Sequence, residues 1–155
     1  MQLMIAVIGA RSCDQQVYEL AFQAGQELAR SGYTIVCGGL GGVMEAACKG
    51  ARSAGGRTVG ILPGVDPAAA NQFVDIAIAT GLGAGRNLLI IHSAEAVLAI
   101  NGSYGTLSEL AFALQLNKPV VGLGTWNISE KIITATSAQQ AVEQISRLVA
   151  RHESG

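Results

Sequence analysis

The chain has 155 residues, half of them hydrophobic and few aromatic, with a formal net charge of −1; this is enough chain for one domain with a sizeable core. That charge leaves no basic field for nucleic acid, and Lys and Arg are scattered without an aromatic-plus-basic stripe. No apolar run reaches the length of a membrane span, and Cys13, Cys37 and Cys48 form no C-x-x-C pair, which fits a reducing, cytoplasmic compartment.

Met1 to Ala10 lacks a basic leading region and runs into Gly9-Ala10-Arg11-Ser12, so it is an opening strand segment and not a secretory signal. Within it, Leu3 to Ile8 is a continuous apolar run that predicts a buried parallel strand. Val17, Leu20, Ala21, Ala24 and Leu28 follow at helical spacing, and Gly32 ends that helix. Thr34 to Val36 is a second strand, Met44 to Ser53 a second helix stopped by Gly55-Gly56, and Thr58 to Leu62 a third strand before Pro63-Gly64. Phe73 to Ile78 predicts a peripheral fourth strand, Gly85 to Ser93 a helix and Glu95 to Ile100 a fifth strand. A helix over Leu107 to Leu116, a strand over Pro119 to Leu123, a short strand over Ile132 to Thr136 and a closing helix marked by Ala141, Val142, Ile145, Leu148 and Val149 complete the chain. Leu88 to Ile91 form an apolar block on a short helix, which predicts burial all round, in the core or a subunit interface. The alternation implies one α/β domain over residues 1–155: a Rossmann-like three-layer fold, with a mainly parallel sheet and helices on both faces.

Two glycine-rich turns each follow an apolar strand and open a helix. The first is Cys37-Gly38-Gly39-Leu40-Gly41-Gly42-Val43-Met44-Glu45. The second is Asn101-Gly102-Ser103-Tyr104-Gly105-Thr106-Leu107-Ser108-Glu109. Backbone N–H groups left bare at a helix N-terminus attract an anion, so the pair predicts a clamp for a phosphorylated small molecule. In such a fold both turns belong at the carboxyl edge of the sheet. The expected phosphate- or ligand-binding residues are Gly9, Arg11 and Ser12, then Gly38, Gly39, Gly41 and Gly42, then Arg86, and finally Asn101, Gly102, Ser103, Tyr104, Gly105 and Thr106. The first strand ends in Gly9-Ala10-Arg11-Ser12-Cys13, not in G-x-G-x-x-G, and no acid closes the second strand, so NAD is not expected. No Walker A sequence is present. His92 and His152 sit in no metal-ligand or triad spacing, so no protein-only metal site is expected.

With these pieces in order the chain resembles the Lonely Guy superfamily. The resemblance rests on Gly38-Gly39-Leu40-Gly41-Gly42-Val43-Met44, then Arg86, then Asn101 through Glu109, and it covers nearly the whole sequence. Gly81-Leu82-Gly83, Arg86-Asn87 and Lys118-Pro119-Val120-Val121 with Leu123-Gly124-Thr125 look like a shorter branch that includes the molybdenum cofactor carrier proteins. The carrier resemblance implies molybdenum cofactor as bound cargo. The alternative it implies is a nucleoside 5′-monophosphate phosphoribohydrolase, with Arg86 and Glu109 as catalytic residues. The enzymes' Pro-Gly-Gly is Asn101-Gly102-Ser103 here and their Arg-Lys pair is Arg86-Asn87, which weakens the hydrolase reading. A related fold in DNA-uptake proteins supplies a third class, against which the near-neutral charge stands. The related families are dimers or larger, so a homodimer or homotetramer is expected.

Several of these residues also have structural readings. Glu109 could stabilise an oxocarbenium-like centre or orient a water, or it could close a capping box with Thr106. Arg86 could clamp phosphate or sit exposed at its helix start. Glu45 could simply favour its helix N-terminus through the dipole. Ser12 or Asp14 could cap the first helix, and the four glycines of the first turn could serve tight packing instead of ligand approach.

Overall fold

A computed structural model describes residues 2–155; Met1, which the sequence assigns to the opening segment and the domain, lies outside the described residues. Its centre is a seven-stranded parallel sheet in the order β4-β3-β2-β1-β5-β6-β7. The strands are β1 (Met4–Gly9), β2 (Thr34–Cys37), β3 (Thr58–Leu62), β4 (Ile76–Ala79), β5 (Ala96–Ile100), β6 (Val120–Leu123) and β7 (Ile132–Thr134). The helices are α1 (Gln15–Arg30), α2 (Val43–Ser53), α3 (Arg86–Ser93), α4 (Tyr104–Gln115) and α5 (Ala138–Ser154).

Ile5 to Ile8 of β1 and all of β5 are buried because both faces of the sheet are covered there. Alternate residues of each strand enter two separate cores. Ile5, Val7, Ile35 and Leu98 pack against α1, α2 and α5, while Ala6, Ile8, Val36 and Val97 pack against α3 and α4. The helix starts are set locally. Asp14, not Ser12, caps α1, its Oδ1 accepting the Val17 N–H at 2.9 Å. Ser137 Oγ accepts the Gln140 N–H at 3.1 Å at the head of α5. Helices α1 and α2 pack backbone to backbone: a Cβ on Gly25 would lie 2.1 Å from the Ala47 carbonyl oxygen, and one on Gly50 2.0 Å from that of Phe22.

The chain runs outward from β1 to β4, returns to place β5 on the other side of β1, and continues outward to β7. The order therefore reverses between β1 and β5, and the crevice outside the carboxyl ends of these two strands is where such a sheet holds its ligand.

Two expectations need correction. Helix α4 begins at Tyr104 and not Leu107, because Ser103 is its N-cap and donates its own N–H to Thr106 Oγ1 at 3.2 Å. Strand β4 starts at Ile76, because Asn71 turns the chain before it: Asn71 Oδ1 accepts the Phe73 N–H at 2.9 Å. Within a single chain the apolar block on α3 is buried in part, the core alternative holding for two of its four residues. Ile90 and Ile91 are buried, Leu88 is half-buried and Leu89 is exposed.

Candidate functional site

At the β1–β5 crevice lies a cavity of about 310 Å³, lined by Val7, Ile8, Gly9, Arg11, Gly38, Leu40, Met44, Pro63, Ala84, Arg86, Asn87, Ser103, Gly105, Thr106 and Glu109. That volume is at the small end of sites for small molecules. A larger open groove of about 1030 Å³ runs between α1 and the end of β6, but no Lys or Arg borders it to receive an anion.

The positive wall of the cavity is built through α4. The N–H groups of Tyr104 and Gly105 occupy the first turn of that helix, where no intrahelical acceptor exists, while the Thr106 N–H is taken by the Ser103 side chain in a capping box; the helix dipole adds to them. A Cβ on Gly105 would meet nothing nearer than Ser103 Oγ at 3.8 Å, so Gly105 leaves open space in front of these donors.

Arg86, the first residue of α3, faces them. Its Nε donates to the Ile61 carbonyl oxygen at 2.9 Å, and Nη1 donates to Asn87 Oδ1. Asn87 is buried; its Nδ2 donates to Ser108 Oγ at 3.3 Å, and Ser108 Oγ donates to the Gly105 carbonyl at 2.9 Å. One hydrogen-bonded chain thus ties the guanidinium to the anion-seeking end of α4. Gly38 is bare because Arg86 lies over it, 2.7 Å from where a Cβ would stand.

Glu109 sits one and a half turns further along α4 and is only 8% exposed. Among the described residues nothing donates a hydrogen bond to its carboxylate, and Arg86 forms no ion pair with it; the ion pairs found, Arg30–Glu27 and Arg52–Asp75, are elsewhere. Burial pushes the Glu109 carboxyl up to about 7, with the Arg86 charge pulling the other way. Burial also lowers the Arg86 pKa, opposed by Glu109. Glu109 does not close a capping box, since Thr106 fills that place and Glu109 lies deeper in the helix.

The cavity brings together Gly9, Arg11, Gly38, Arg86, Ser103, Gly105, Thr106 and Glu109 of the expected residues. Ser12, Gly39, Gly41, Gly42, Asn101, Gly102 and Tyr104 lie outside its lining. For the first turn, packing accounts for the glycines outside the cavity. Gly42 has φ 63, and a Cβ there would stand 2.4 Å from the Ala10 carbonyl oxygen. Gly39 has φ 77 and presses against Leu62 and Gly60. The turn is braced by Asn71, whose N–H donates to the Gly39 carbonyl at 2.9 Å and whose Nδ2 donates to that of Leu40 at 2.8 Å. Glu45 lies in the first turn of α2, away from the cavity. Asn71 is marked by no local motif, whereas the buried Asn87 stands in the Arg86-Asn87 pair that carries part of the family resemblance. Asn101 adopts φ 50, which a proline ring cannot reach. Asn101-Gly102-Ser103 therefore follows a backbone path closed to a Pro-Gly-Gly turn.

Among the described residues no group of three or more His, Cys, Asp or Glu could hold a metal ion, and no helix is long and apolar enough to cross a membrane.

Comparisons with known proteins bear on this geometry. The model of the SLOG cluster4 family matches residues 2–152. An uncharacterised protein of Archaeoglobus fulgidus is 44% identical over 92% of this chain and 94% of its own length. The cytokinin riboside 5′-monophosphate phosphoribohydrolase of Mycobacterium tuberculosis is 32% identical over 72% of this chain and 64% of its own length. Among solved structures, the molybdenum cofactor binding protein of the phototrophic bacterium Rippkaea orientalis superposes with a TM-score of 0.91 at 34% identity, covering 96% of this chain and 98% of that one. The molybdenum cofactor carrier protein of Chlamydomonas reinhardtii does so at 0.88 and 32%, covering 97% and 99%.

Proposed function

The chain belongs to the SLOG cluster4 family, and on that premise we propose that it binds the molybdenum cofactor as a carrier or storage protein, without turning it over. The phosphate of the cargo sits on the N–H groups of Tyr104 and Gly105 and against Arg86. This reading is supported by the two molybdenum cofactor proteins that share the fold over nearly their whole length. The observation that carries it against base hydrolysis is Asn101 at φ 50: the turn before α4 follows a path that the enzymes' proline could not take.

A second reading is favoured by Glu109. A buried carboxyl near 7, in a cavity and free of hydrogen bonds, is poised for general acid–base work at neutral pH. In that case the chain is a nucleoside 5′-monophosphate phosphoribohydrolase.

One experiment separates them. The purified protein is titrated with molybdenum cofactor and, separately, incubated with nucleoside monophosphates while free base is measured. The expected result is cofactor binding and no base release. Base release that falls about a hundredfold or more in Glu109→Gln or Arg86→Ala, the scale of losing a positioned catalytic group, would establish the hydrolase instead.

The same reading places the protein in the cytoplasm, in keeping with its free thiols, and assigns it no nucleic-acid partner, in keeping with its net charge of −1. It also makes the protein a homodimer or homotetramer. The edge strand β4 exposes Ile76 and Ile78, and the loops beside it expose Val65 and Leu82; an apolar surface of this kind calls for cover. Sedimentation velocity at micromolar concentration is expected to show a dimer or larger, and a lone monomer would refute the assembly.

A further inference from the structure

An aromatic pair stands at the start of α4, between the cavity and the cleft that Trp126 lines with Gly124 and Thr125. Tyr104 and Trp126 stack with ring centroids 6.2 Å apart and planes inclined by 21°. The indole Nε1–H donates to the Ser103 carbonyl at 3.0 Å, which fixes Trp126 to the N-cap of α4. Tyr104 is 83% exposed although it is backed by the indole. Its two neighbours in the chain, Ser103 and Gly105, both line the cavity. Little of Tyr104 is buried, so its ring contributes little to the core. It is nevertheless held in place beside the free N–H groups of α4.

We propose that the Tyr104–Trp126 pair is a stacking platform for the planar heteroaromatic ring of a phosphomonoester whose phosphate occupies the α4 cradle. The inference rests on the anion cradle proposed above and adds to it the group that selects the ligand's ring. A phosphate at Gly105 leaves the rest of its ligand a short linker away from Tyr104. The ring class that fits is a flat fused bicycle, pterin or purine, whose π face can lie on the phenol. Backing by Trp126 holds the Tyr104 side chain in one orientation, which limits the ordering cost of binding. Sugar phosphates, which carry no such face, gain nothing from the pair.

The test compares GMP, which carries a flat fused bicycle, with ribose 5-phosphate, which carries the anion and sugar alone. Affinities are measured by calorimetry, with the fluorescence of Trp126, the only tryptophan in the sequence, as a second readout. GMP is expected to bind about tenfold to a hundredfold more tightly than ribose 5-phosphate, the range that one base–aromatic stack supplies, and to change Trp126 emission where ribose 5-phosphate does not. Tyr104→Ala should collapse that preference, bringing GMP down to the affinity of ribose 5-phosphate, and Tyr104→Phe should retain it. Equal affinities for the two probes, or a preference that survives Tyr104→Ala, would overturn the platform and leave the cradle standing. Binding of neither probe would overturn both.

Discussion

Gly105→Val is expected to abolish ligand binding while leaving the fold intact. The reason lies in where the new side chain goes. A Cβ at Gly105 meets nothing nearer than Ser103 Oγ at 3.8 Å, so the valine enters the space before the α4 donors instead of the core. It would displace an anion from the N–H groups of Tyr104 and Gly105 and from Arg86. Hydrogen bonds to a charged group contribute about 1.5–3 kcal/mol each, so losing two of them corresponds to roughly 10²- to 10⁴-fold in affinity. Calorimetric titration with molybdenum cofactor, beside a thermal melt of each protein, checks both halves. Full affinity in Gly105→Val would refute the cradle. Gly42→Ala makes the contrasting case. Its Cβ would collide with the Ala10 carbonyl from a backbone at φ 63, so any loss of binding there would report damage to the turn.

Glu109→Gln is expected to stabilise the protein at pH 8 and to have little effect near pH 4. The folded chain holds the Glu109 carboxyl near 7, against an ordinary value of 4.5. Between these values the native state keeps a proton that the unfolded chain has released. Stability contributed by this group therefore falls as pH rises from about 4.5 to about 7 and stays low above that. At 1.36 kcal/mol per pH unit the full cost is about 3 kcal/mol, the attraction of Arg86 being already contained in the value near 7. A gain of about 1–3 kcal/mol should appear in urea unfolding at pH 8. Glu109→Gln that is less stable than the parent at pH 8 would mean the carboxylate is a structural partner. The expected sign marks Glu109 as a group kept at a cost to the fold, the usual signature of a residue retained for what it binds or does.

The sequence exposed the scaffold far more completely than the site. β3 was legible to its ends because Thr58-Val59-Gly60-Ile61-Leu62 is an apolar run closed by Pro63-Gly64, and the alternation of such runs with amphipathic stretches leaves few topologies. Arg86, Gly105 and Glu109 were legible because they stand within or beside glycine turns at the carboxyl edge. What the chain order concealed is the division of labour between the two turns. Gly39 and Gly42 look like Gly105 in a sequence, yet their missing side chains make room for Leu62 and the Ala10–Ser12 backbone, partners that only the folded sheet brings near. Glu109 matched a capping box with Thr106, but Ser103 opens the helix three residues earlier and gives Thr106 the reciprocal place. Asn71 was invisible for the same reason, and Asn87, though part of the Arg86-Asn87 pair, gave no sign of its role. Each is a polar residue whose partner, Leu40 for Asn71 and Ser108 for Asn87, lies elsewhere in the chain.

The reversal of strand order at β1 and β5 places the cavity across a seam. Val7 to Pro63 supply one side of it and Ala84 to Glu109 the other. A ligand seated there is a staple between the two halves of the chain, so occupancy and folding form one equilibrium. At a free ligand concentration a hundredfold above Kd, the loaded form gains about 2.7 kcal/mol against unfolding. The emptied protein is the one whose seam opens more readily to solvent and proteases, and the shift in melting temperature on loading is a direct reading of how full the cavity is.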